Sequence, residues 1–213
     1  MTRLTFTIRI LKPAAALAAT GPAVWLVLAA LGRVDFGADP VKTIQVTTGL
    51  ATLVLLFATL AVTPLRKYGH WGELIRLRRM LGLFAFFYVC LHALTYFVFD
   101  QSLDPQLIWS DTVEHPRIAV GFLAFLLLIP LALTSTDKAI RRLGKRWTRL
   151  HRLIYVAAAL GVVHYLMVQK LDWSKGLVYG AVFLGLMLLR LPGWIERLSA
   201  GRRREAGATA ADA

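Results

Sequence analysis

Residues Met80–Phe99 read MLGLFAFFYVCLHALTYFVF, twenty positions without a lysine, arginine, aspartate or glutamate. A helix of about 20 mostly apolar residues crosses the hydrocarbon core of a bilayer. The stretch therefore predicts a transmembrane helix that carries one histidine, His92. Similar runs lie on both sides of it: Pro13–Leu31 and Thr43–Leu65 before, then Ile118–Thr136, His151–Val168 and Gly176–Leu191 after. The first follows Arg3, Arg9 and Lys12, as the apolar region of a signal peptide would. Its length and the five runs that follow favour a retained helix. The sixth is short and ends at Arg190, so it crosses only with Trp173 and Lys175 at one interface and Arg190 snorkelling at the other. The expected fold is an all-α integral membrane protein, a six-transmembrane-helix bundle over residues 13–191. It is flanked by an N-terminal segment, 1–12, and a C-terminal tail, 192–213, whose low-complexity end Gly207–Ala213 reads as partly disordered.

Composition agrees. Of 213 residues, 57% are hydrophobic and the mean hydropathy is +0.60, against about 45–50% apolar residues in an ordinary soluble domain. The net charge of +13 is spread over loops rather than gathered on one face, so the expected partner is the lipid bilayer and not nucleic acid. Twenty of the 25 lysines and arginines fall on one side of the predicted spans, which places both termini of a multi-pass protein in the cytoplasm. The loop between spans three and four, with Asp100, Asp104, Asp111 and Glu114, is mildly acidic and faces the other side. A single cysteine, Cys90, excludes an intramolecular disulfide, a thiolate-held iron–sulfur cluster and a Cys-rich zinc site. No Gly-rich phosphate loop is present and no room is expected for a nucleotide-binding domain.

The histidines carry the chemistry. His92 lies about 18 Å along span three and His164 about 20 Å along span five, two helices running in the same direction. Matched depth lets the pair bracket one flat cofactor. Gly82 and Ala85 before His92, and Ala157 and Gly161 before His164, share each histidine's helical face, where small residues admit a macrocycle. Two imidazoles binding iron from opposite sides form a low-spin haem site suited to electron transfer, and the absence of a C-x-x-C-H motif makes it haem b. The plain alternative for either residue alone is a hydrogen bond to a neighbouring helix. His151 sits at the basic edge of span five, rotated about 220° from His164. It is a candidate ligand of a second, inner haem, or an interfacial capping residue. His70 and His115 read as exposed. Thr48, Gly49 and Thr52 read as close helix packing.

With those residues identified, the sequence resembles the MsrQ (YedZ) family, haem-binding membrane subunits of the bacterial MsrPQ methionine sulfoxide reductase system. The resemblance rests on GADPVK at Gly37–Lys42, Thr48–Gly49, LIRLRRMLGL at Leu74–Leu83 and LHALTY at Leu91–Tyr96. TSTDKAIRRLGKRWTRLHRLIY at Thr134–Tyr155 and VHY at Val163–Tyr165 complete it. It implies a ferric reductase- and NADPH oxidase-like transmembrane core with haem iron held by His92, His151 and His164. It also implies electron delivery to a periplasmic molybdopterin enzyme, MsrP, that reduces methionine sulfoxide in oxidised proteins. FMN and the quinone pool are associated with the family. The larger relatives place two histidines on each of spans three and five; here Arg78 and Arg79 stand where an inner ligand of span three is expected, so one haem or two remain alternatives. The electron donor implied is a separate cytosolic flavin reductase or membrane quinol. The chain then acts as a non-catalytic electron-transfer subunit. Rival readings are a stand-alone haem quinol oxidase or ferric reductase, and a proton or metal transporter using a histidine relay. The relay would want carboxylates inside the spans, and no span centre holds one.

Overall fold

The computed structural model describes residues 2–169 and 173–191; the C-terminal tail lies outside the described residues. Nine helices are described: α1 Arg3–Ala30, α2 Pro40–Tyr68, α3 Gly72–Asp100, α4 Pro105–Glu114, α5 Pro116–Leu133, α6 Asp137–Leu143, α7 Lys145–Leu150, α8 Leu153–Val168 and α9 Trp173–Leu188. Five segments are long and apolar enough to span a bilayer: α1, α2, α3, α5 and Lys145–Val168. The sixth apolar helix, α9, has 16 residues and is about 24 Å long.

Local chemistry sets the boundaries. Asp39 accepts a hydrogen bond from the Lys42 amide with Pro40 at the first helical position, and Asp104 accepts from the Gln106 amide ahead of Pro105. α1 stops at Gly32, whose φ of +68° suits a residue without a Cβ. It begins ten residues before the expected Pro13, because Arg3–Leu11 continues the helix through a π-helical stretch at Thr7–Leu11. The segment 105–114, read as acidic loop, is the helix α4.

α2 is the centre of the bundle: half of its most apolar window is buried, against 11–22% for the other spans. Leu56, Leu60, Leu81, Ala85, Leu128 and Ala157 fill the core between α2, α3, α5 and α8. The outer surface stays apolar, with Leu17, Leu133 and Leu177 all more than 60% exposed, as lipid-facing residues must be. Gly82 and Gly161 face Thr59 and Leu53 of α2, so these small residues draw α3 and α8 close to the central helix.

Two side chains repair backbone opened by proline. Pro22 interrupts α1, and the Tyr88 hydroxyl enters the neighbouring rung, accepting from the Ala23 amide at 3.1 Å and donating to the Ala19 carbonyl at 2.6 Å. Pro64 has no N–H for the Leu60 carbonyl four residues earlier, and the Arg190 guanidinium donates to that oxygen and to the Tyr155 hydroxyl. Arg190 is accordingly 6% exposed rather than snorkelling outward as expected: the freed carbonyl and the Tyr155 ring beneath it draw it into the bundle. Replacing Tyr88 with Phe removes both bonds to α1. The thermal midpoint of the purified protein should fall by the equivalent of about 1 kcal/mol, and an unchanged midpoint would show that the rung closes without the hydroxyl.

Candidate functional site

His92 on α3 and His164 on α8 meet between the helices, their ring centroids 6.1 Å apart and their planes 82° to one another. Each ring is fixed in the same way. His92 Nδ1 lies 3.0 Å from the Gln45 carbonyl on α2, and His164 Nδ1 lies 2.8 Å from the Arg117 carbonyl on α5. A carbonyl only accepts, so Nδ1 carries the proton in both rings and Nε2 keeps its lone pair. Among the described residues neither Nε2 makes a hydrogen bond. This is the arrangement in which a metal-bound imidazole is oriented from behind by a carbonyl.

Glycine makes the seats. A Cβ on Gly49 of α2 would stand 3.1 Å from His92 Cε1, and one on Gly121 of α5 would stand 2.7 Å from His164 Nδ1. Gly49, read as helix packing, in fact packs the ligand candidate itself. Gly121, with the carbonyls of Gln45 and Arg117, was missed. A signal for them is present in the chain. Both histidines follow their carbonyl residue by 47 positions, and each glycine follows that residue by four. The pair α2–α3 is thus repeated 72 residues later as α5–α8.

The repeat fails at the basic end. The position 72 residues before His151 is Arg79, which is exposed and pairs with Asp137 at 2.6 Å. His151 itself lies in the turn between α7 and α8, with Trp147 stacked on its ring at 4.0 Å. The Thr134 hydroxyl donates to the Pro130 carbonyl at 2.6 Å and accepts from His151 Nε2 at 3.0 Å. His151 is therefore held through the opposite nitrogen from the other two and is not brought to them. His115 pairs with Asp111 at 2.8 Å, and His70 is exposed in the α2–α3 connection. Asp111 also accepts from Tyr96 and Gln101, Asp100 accepts from Gln45 and Asp104 caps α4, so three of the acidic loop's four carboxylates are spent within the fold.

Two facing imidazoles, each about 2 Å from one metal, place their ring centroids roughly 6 Å apart, which is the separation observed. Among the described residues no group of three or more histidine, cysteine or acidic side chains could hold a bare ion. A pair suffices where a macrocycle supplies the remaining ligands, and the glycine seats keep the backbone clear. The residues fit a haem.

A helical bundle with paired histidines of this kind defines a ferric reductase-like transmembrane component, and that family matches residues 45–162. Curated relatives narrow it further. The chain is 51% identical over 160 residues to the protein-methionine-sulfoxide reductase heme-binding subunit MsrQ of Herminiimonas arsenicoxydans, covering 74% of this chain and 73% of the relative. It is 46% identical to the subunit of the same name from Rhodospirillum rubrum, covering 85% and 87%, and 46% identical to that of Ralstonia nicotianae, covering 87% and 90%. The chain belongs to the MsrQ family of multi-pass membrane proteins.

Proposed function

We propose that this chain is the haem-binding electron-transfer subunit of a protein-methionine-sulfoxide reductase, in which His92 and His164 would hold one b-type haem. The observation that carries the reading is the pair of rings, each tied through Nδ1 to a backbone carbonyl with Nε2 directed away from it. Haem held there supplies a one-electron iron couple. The chain's own part is to keep both imidazoles neutral and oriented, each with Nε2 free for iron, and to surround the site with apolar helices that exclude water. The membrane is the bacterial inner membrane, α9 completes six spans, and the basic ends with both termini face the cytoplasm.

Electrons pass from a cytosolic flavin reductase or membrane quinol to a periplasmic MsrP-like molybdopterin reductase that repairs oxidised proteins. His151, at the cytoplasmic end, is the candidate ligand of a second haem nearer a cytosolic donor, and FMN enters through the family resemblance. The α4 region is the docking surface for the periplasmic partner. Because Asp100 and Asp111 are engaged within the fold, its free face is Leu107, Trp109 and Val113, 49–71% exposed, with Glu114 beside them.

The deciding experiment is the reduced-minus-oxidised visible spectrum of the detergent-purified protein, with haem measured per polypeptide. A low-spin b-type signal is expected. Protein that carries no haem after expression with ample haem supply would sink the reading. His151→Ala should leave one haem per chain with the wild-type low-spin signal. Loss of that signal would move His151 into the same site as His92 and His164.

A further inference from the structure

A groove of about 1060 Å³ runs along the bundle between α1 and α3. Its basic end is formed by Lys12 of α1 with Arg76 and Arg79 of α3, and its length by Met80, Leu83, Phe84 and Phe87. Ala23 and Tyr88 close the deep end, where the Tyr88 hydroxyl ties the two helices together. Leu83 and Phe87 are 39% and 46% exposed, so the apolar wall opens toward the lipid. From Arg76 to Phe87 the helix rises about 16 Å, close to the depth of one leaflet of a hydrocarbon core of about 30 Å.

Such a groove in a bilayer takes up hydrocarbon. The basic end selects what is attached to it. Among the described residues no carboxylate lines the groove; Arg79 is paired with Asp137, whereas Lys12 and Arg76 have no hydrogen bond or ion pair among them. Three cations above an apolar channel one leaflet deep match a diacyl amphiphile with a phosphate head and net negative charge. A quinol has a neutral head and leaves those charges uncompensated; a zwitterionic lipid compensates them only in part.

We propose that the groove between α1 and α3 is a binding site for one anionic phospholipid, its phosphate held by Lys12, Arg76 and Arg79 and an acyl chain lying along Leu83, Phe84 and Phe87. The lipid completes the packing of α1 onto the bundle at the end that Tyr88 does not reach. The proposal does not depend on haem or on the reductase partner.

The test is native mass spectrometry of the full-length protein released from micelles containing dioleoyl phosphatidylglycerol or, separately, dioleoyl phosphatidylcholine. The wild type should retain one phosphatidylglycerol and at least tenfold less phosphatidylcholine. Lys12→Gln with Arg76→Gln, both exposed in the protein and thus neutral for folding, should weaken phosphatidylglycerol retention about 25-fold, about fivefold for each charge. Arg66→Gln with Lys67→Gln removes two exposed charges at the basic end of α2, neither lining the groove and both beside Tyr68, whose hydroxyl reaches the Leu189 carbonyl, and should change nothing. Leu83→Trp keeps every charge, fills the channel and should also release the lipid. Equal retention of the two lipids, or full retention by either groove variant, would overturn the proposal. So would a short-chain quinol that displaces phosphatidylglycerol from the wild type.

Discussion

Alanine at His92 or at His164 leaves the purified protein without its low-spin b-type absorbance, while the polypeptide still inserts and elutes as a single species. Each ring would supply one of the two protein ligands that hold the haem, so neither can replace the other. Neither Nδ1 can serve instead, because each is committed to a backbone carbonyl, and no third histidine is in reach. The fall in haem affinity should exceed the roughly 10–100-fold that removing an outer hydrogen-bond partner costs a metal site. His70→Ala and His115→Ala serve as controls and should keep the full signal. Haem per polypeptide, read from a pyridine haemochrome spectrum, decides it; a full complement in both single variants would refute the ligand assignment.

The second large effect comes from adding one methyl group. Gly121→Ala places a Cβ 2.7 Å from Nδ1, 2.8 Å from Cε1 and 3.2 Å from Cγ of His164, closer than side-chain atoms approach one another. The ring cannot swing clear without breaking its bond to the Arg117 carbonyl, so position and tautomer are lost together. Haem retention should fall by about 10–100-fold. Gly49→Ala makes a milder contact with His92, 3.1 Å to Cε1 and 3.2 Å to Nδ1, which a few tenths of an ångström relieve. The expected order is therefore Gly121→Ala well below Gly49→Ala, with wild type highest. Equal haem content in all three proteins would show that the rings are free to reseat.

Much of this was legible in the chain and some was not. Spans two to five follow from uninterrupted apolar length, and the approach of His92 to His164 follows from equal depth on helices running the same way. The seats were harder. Gly49 and Gly121 act across helix pairs, and a glycine beside a distant histidine carries no local pattern; only the shared 72-residue offset marks it. The start of α1 was hidden because Arg9 and Lys12 read as flanking charges, whereas the helix simply carries them outward on its exposed side. α4 was lost among its acidic residues, although Asp104 followed by Pro105 is a helix-start signal that could have been used. Arg190 could not have been placed from sequence, because its partner is a carbonyl freed by a proline in another helix.

The anchors of α1 carry one more implication, for biosynthesis. Its named bonds reach Trp71, the His70 carbonyl and Tyr88, each 64–69 residues further along the chain. At about 5–20 residues per second of synthesis, α1 leaves the ribosome several seconds before these partners exist. Until Tyr88 is made, the rung beside Pro22 has no hydroxyl to close it. α1 therefore closes onto a surface of α3 that is translated after it.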